Sequence, residues 1–157
     1  MDAHYSVKGA ILTGRYTPPT HYLLIIESFS KLTKAIVNKY SSDKFDAEGF
    51  SWKLSIYPTG DKSKNGEGHI SIYLELDTSL AVGTDVNVII NLFVFNHLED
   101  RYLSFQDNHM YSSDNYSSGR VEFLSLAKLE DPKMGFLVDD IVIIEAEVTL
   151  LGLVMKE

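Results

Sequence analysis

Apolar and polar residues alternate along residues 51–60. Trp52, Leu54 and Ile56 fall on one side, Ser51, Lys53 and Ser55 on the other, and Pro58-Thr59-Gly60 ends the run. A period of two closed by turn residues predicts a half-buried β-strand. The pattern returns at 69–76, where Ile70, Ile72, Leu74 and Leu76 share a face. Side chains alternate along a strand, so Tyr73 is predicted to point outward. Residues 86–95 form the longest β-branched and aromatic run, and 141–151 close the chain as a last strand. Shorter strands are predicted at 21–28 (apolar on both faces, hence buried on both sides), at 102–106 and at 120–126. Phe45 and Phe50 around Gly49 suggest a short strand and a bend. One irregular turn is expected within 29–40 and one helical turn within 126–134, stopped by Asp131-Pro132. Residues 61–68 read as an exposed hairpin loop and 107–119 as the longest irregular segment.

Roughly eight strands with a turn about every ten residues predict an all-β fold, an eight-stranded antiparallel β-sandwich. The expected organisation is an N-terminal tail over 1–19, a sandwich over 20–152 and a short C-terminal tail over 153–157. At 157 residues one domain is expected. A hydrophobic content of 45% is enough to build its core. The formal charge of −8, from 14 basic and 22 acidic residues, repels phosphate backbones and anionic lipid. No nucleic-acid or membrane partner is therefore expected. Without cysteine, disulfides, thiolate nucleophiles and zinc-thiolate sites are excluded. No basic start followed by an apolar stretch opens the chain, and no apolar run nears the ~20 residues of a membrane span. The expected location is the cytoplasm, with the nucleus as second choice. In that setting Asn115-Tyr116-Ser117 is a chance glycosylation match.

Candidate chemistry is sparse. Asp139-Asp140 is a paired carboxylate or half a calcium site, but turn chemistry ahead of the last strand is the favoured reading. His4, His21, His69, His97 and His109 lack metal-ligand spacing. Ser112-Ser113 and Ser117-Ser118 lack a nucleophile-elbow glycine pattern. Asn65-Gly66-Glu67-Gly68 is a turn rather than a phosphate cradle. Glu145 and Glu147 are expected on the solvent face of the last strand. No catalytic residue, cofactor or metal ligand emerges, so the chain reads as a non-enzyme.

Five segments in order carry a family resemblance: YLLIIESFSKL at 22–32, YSSDKF at 40–45, WKLSIYPTG at 52–60, ISIYL at 70–74, and DPKMGFLVDD at 131–140 followed by IEAEV at 144–148. Together they resemble the MATH (meprin and TRAF-C homology) domain, particularly its plant members. The resemblance implies a sandwich that binds short extended peptides in a shallow groove on one sheet. It also implies adaptor work in ubiquitin-linked or defence signalling, as in relatives among receptor adaptors, cullin-3 substrate receptors and ubiquitin-specific proteases. By the same resemblance Tyr73 lines the groove, with Ile90 and Tyr111 as counterparts of two aromatic positions. Where those relatives carry Trp-Gly-Phe, this chain has Ser118, Gly119 and Arg120. Losing two aromatics removes ~1–3 kcal/mol of apolar grip at each. Arg120 instead suits an acidic or phosphorylated partner. The expected partner is a protein or peptide. The alternative is an assembly domain, with a vestigial groove, that pairs with itself or with other MATH domains. Carbohydrate binding is weaker still, because the single Trp52 is predicted to be buried.

Overall fold

The computed structural model describes residues 21–35 and 38–156; the expected tail over 1–19 lies outside them. Among the described residues the order is β1 (Tyr22–Ile26), α1 (Phe29–Thr33), β2 (Tyr40–Ser41), β3 (Phe45–Ala47), β4 (Phe50–Tyr57), β5 (His69–Leu76), β6 (Thr84–Asn96), β7 (Arg101–Tyr111), β8 (Ser117–Ser125), α2 (Leu126–Glu130) and β9 (Val142–Met155). One sheet runs β1-β9-β6-β7. The other runs β2-β4-β5-β8, with β3 also paired to β4. Every pairing is antiparallel. This is the all-β sandwich that the alternating pattern predicts. Nine strands replace eight because the stretch before β4 supplies two short pieces rather than one.

The core follows from the period of two. Val86, Val88, Ile90, Leu92 and Val94 of β6 meet Trp52, Leu54 and Ile56 of β4 and Ile70, Ile72 and Leu74 of β5 between the sheets, all buried. One contact crosses the core with direction as well as area. Tyr111, on β7 of the first sheet, packs edge-on to Trp52 of the second at 5.1 Å. Its hydroxyl donates to the Leu74 carbonyl oxygen of β5 at 2.8 Å. Burial pushes the Tyr111 hydroxyl far above its usual range, so it stays protonated and remains a donor.

Several sequence expectations change. β7 runs on to Tyr111 where 107–119 was expected to be irregular, because residues 107–111 pair with 86–90 of β6. β1 is not buried on both sides: Leu24 and Ile26 enter the core while Leu23 and Ile25 stay exposed at the sheet edge. β9 extends to Met155 by absorbing an extra residue. Asn87 pairs with Gly152 and Val88 with Leu150, leaving Leu151 as a bulge. Glu145 lies on the outer face of β9, opposite Leu23 and Phe93, yet it is buried there. Asp139 and Asp140 do form a turn, both at positive φ. The Asp140 carboxylate, however, accepts from the Ser30 N–H and hydroxyl at 2.9 and 2.7 Å, fastening α1 to the segment ahead of β9.

Tyr111→Phe keeps the ring and removes the hydroxyl bond to the Leu74 carbonyl. It is expected to lower unfolding stability by about 1 kcal/mol. Leu92→Ala, which opens a cavity in the same core, is expected to lower it by about 2–5 kcal/mol. Chemical denaturation with matched m-values checks both.

Candidate functional site

The six sequence candidates divide between two faces. Paired residues of an antiparallel ladder share a face. Tyr73 pairs with Gly119, whereas Ile72 pairs with Arg120 and Leu74 with Ser118. Tyr73 and Gly119 therefore belong to the outer face of the five-stranded sheet, and Ser118 and Arg120 to the side facing the other sheet. Ile90 and Tyr111 also point into the sandwich and are 0% exposed. The expected single outer surface bearing Tyr73, Ile90 and Tyr111 is not formed. Ile90 obeys the alternation of β6, whose odd-numbered neighbours take the other face, and Tyr111 is committed to the core by its bond to Leu74.

Tyr73 faces outward as the alternation requires, yet only 6% of it is exposed. The β4–β5 connection, expected to stand off in solvent, folds back over the sheet. Its hinge is a close approach of two glycines: a Cβ on Gly60, at φ +99°, would lie 2.0 Å from the Gly66 carbonyl oxygen. Asp61, between them, donates its N–H to the Ser71 hydroxyl at 2.9 Å. Ser71 in turn donates to the Val121 carbonyl of β8. The Asp61 carboxylate accepts from the Tyr73 hydroxyl at 2.9 Å and from the Ser63 hydroxyl at 2.6 Å. Tyr57 lies edge-on to Tyr73 at 5.6 Å, and the Lys64 ammonium sits 5.3 Å from its ring centre. Burial, then the bond to Asp61, pushes the Tyr73 hydroxyl well above its ordinary value. For Asp61 itself burial pushes the carboxyl up, but the bonds from Ser63 and Tyr73 and the nearby Lys64 outweigh it, and the net shift is down.

The open side of the sandwich lies between β7 and β8, each the last strand of its sheet. The Ser118 hydroxyl donates to the Asp107 carboxylate at 2.9 Å and clasps the two edges together. The sequence expectation of a loop at Asp107 fails because residues 107–109 are all polar; the one signal is Tyr111, in phase with Leu103 and Phe105. Gly119 is required beside the clasp. A Cβ there would lie 2.1 Å from the Ile72 carbonyl oxygen and 2.6 Å from the Tyr73 Cα. Arg120 is exposed at the edge, its Nε donating to the Glu122 carbonyl oxygen at 3.1 Å. Towards α2 the slot widens into a hollow of about 430 Å3 lined by Leu103, Phe123, Met134 and Phe136, with Arg120 and Lys128 among the residues around it. Among the described residues no group of three His, Asp or Glu side chains converges to hold a metal ion.

The MATH-domain family model matches residues 21–148. The chain belongs to the MATH-domain family. Its MATH domain is similar to ubiquitin C-terminal hydrolase 12 of Arabidopsis thaliana, 32% identical over 137 residues, a match covering 85% of this chain and 12% of the hydrolase. It is likewise similar to the MATH domain and coiled-coil domain-containing protein At3g58410 of the same plant, 32% identical over 132 residues, covering 83% of this chain and 38% of the relative. The chain thus spans a minor part of these relatives. Among solved structures, TRAF5 of Notothenia coriiceps superposes with a TM-score of 0.67 at 19% identity, covering 86% of this chain and 74% of that one. That likeness establishes a shared fold. MATH domains are protein–protein interaction modules, and in this one β7 and β8 are edge strands of their sheets.

Two substitutions test the site's construction. Gly119→Ala must push β8 away from β5 and is expected to cost about 1–3 kcal/mol, read as a lowered denaturation midpoint. Asp61→Asn tests the loop. Because the folded carboxyl is held below its unfolded value of about 4, its stabilisation is present above that pH and is lost as the pH falls through the folded value. The variant is expected to be less stable than wild type at pH 7, with the gap closing in acid-titrated unfolding curves below pH ~4.

Proposed function

We propose that this MATH domain is a non-catalytic recognition module that takes an extended peptide along the free edge of β8, Ser117–Ser125. The observation that carries this reading is the position of β8 at the end of the five-stranded sheet, beside β7 at the end of the other. Unpaired N–H and C=O groups on an edge strand are a template for another strand. Such a peptide gains main-chain hydrogen bonds from β8 and side-chain contacts from the slot next to Ser118, Gly119 and Arg120. Tyr73 contributes from beneath its loop, by fixing the sheet that carries β8. With few aromatics at the edge, affinity is expected in the micromolar range or weaker, near −8 kcal/mol or less. In a longer context the role would be that of an adaptor. Similarity to ubiquitin C-terminal hydrolase 12 supports a ubiquitin-linked setting.

A second reading, assembly with another copy, has its own observation. Beyond Ala146, β9 has no β1 partner, and its end exposes Leu151, Leu153, Val154 and Met155, the last at 69%. One edge of this strand end pairs with β6, while the other has no strand partner among the described residues, and such an apolar edge invites a second strand.

A degenerate peptide array probed with the protein is expected to give extended ligands whose binding is abolished by N-methylating alternate residues. Ligands indifferent to N-methylation, or a silent array, would sink strand addition at β8. Light scattering addresses the second reading. A mass that rises with concentration and returns to monomer on Leu153→Asp supports it, and a monomer throughout removes it.

A further inference from the structure

We infer that the hollow at the α2 end of β8 selects an acidic peptide, holding an Asp or Glu side chain between Arg120 and Lys128 while an adjacent apolar side chain lies on Leu103, Phe123 and Phe136. This deepens the β8-edge reading and rests on it. The floor of the hollow is apolar, and its rim is not. Arg120 and Lys128 supply two permanent cations and Glu122 one carboxylate, and the Nδ1 of His69 lies 3.9 Å from that carboxylate. The rim therefore carries about one net positive charge in a chain whose formal charge is −8. A single carboxylate neutralises it. A phosphate dianion would over-compensate it, which favours Asp or Glu over a phosphorylated residue.

Geometry agrees with charge. Arg120 pairs with Ile72 and so points to the slot side of β8, the side on which the hollow opens. Its Nε is used on the Glu122 carbonyl, and among the described residues its terminal Nη groups have no hydrogen-bond partner. Those two N–H-bearing groups form the planar fork that matches a carboxylate. The Lys128 ammonium likewise has no ion-pair partner among the described residues. A strand added to β8 presents alternate side chains to the slot, about 7 Å apart. One residue can then meet the cations while the residue two positions away reaches the apolar floor, whose Phe123 is already braced edge-on by Phe105 at 6.3 Å.

The experiment uses the full chain and four fluorescein-labelled nonapeptide pools. Each is random except for a fixed leucine and, two positions later, Glu, Gln, Lys or phosphoserine. The Glu pool is expected to bind wild type about tenfold tighter than the Gln pool. Arg120→Gln is expected to equalise those two pools, and Arg120→Glu to shift preference to the Lys pool. Arg120 is exposed, so both variants are expected to melt like wild type; Lys128→Gln serves as the second variant and is expected to narrow the same preference. Equal binding of the Glu and Gln pools to wild type overturns the inference and leaves the β8 edge reading intact. So does tighter binding of the Lys or phosphoserine pool. Absence of binding by all four pools removes the edge reading and the inference together.

Discussion

The tyrosine that bridges the two sheets sets the geometry on which everything else depends. Tyr111 reaches from β7 into the opposite layer and ends on the Leu74 carbonyl of β5. Apolar packing alone is non-directional and tolerates sliding of one sheet over the other. A buried hydroxyl with one acceptor does not, because a displaced layer would strand both groups without water. Leu74 also pairs with Ser118 on β8, so the same residue that receives the tyrosine fixes where β8 lies relative to β7. The Ser118–Asp107 bond then closes the gap at the rim. The width of the open side is in this way set by the core.

A second constraint acts from outside. The β4–β5 connection spends its polar groups on the sheet it covers: Asp61 on Ser71 and Tyr73, and Ser71 on β8. Each of these buried polar atoms has a partner, which makes the loop a fixed part of the outer face. Tyr73 thereby becomes a structural member. The surface left to a partner moves from the middle of the sheet to its edge, where Gly119 lets β8 approach and Arg120 gives the edge a charge.

Much of the fold was legible because burial on one face imposes a period of two. β4, β5 and β6 were found that way, and so was the outward direction of Tyr73. The failures have physical causes. The extent of β7 was hidden because Asp107, Asn108 and His109 are polar residues in a strand whose outer face is wet and whose inner face meets a polar clasp. The loop over Tyr73 was unreadable because residues 61–68 have turn chemistry whether they stand in solvent or fold back. Ile90 and Tyr111 were assigned by resemblance, and a resemblance carries position along the chain without saying what the side chain has packed against. Gly119 was assigned to the peptide groove by resemblance, whereas the structure shows it admitting the close approach of β5. That contact, with the Ile72 carbonyl, belongs to a strand more than forty residues away.

The first strand of the sandwich finds its partner only in the last. β1 lies against Val142–Ala146, and α1 is held by Asp140, a separation of 110 residues from Ser30. β9 also supplies the ladder for β6 from Thr84 to Val94. Loop-closure entropy across such distances slows folding, and pairings this remote in sequence cannot form before β9 has been made. The hairpin of β6 and β7 can form first, but the layer that contains it stays open until β9 has left the ribosome. A nascent chain of this topology therefore exposes the apolar face of β6 and β7 to chaperones until β9 emerges.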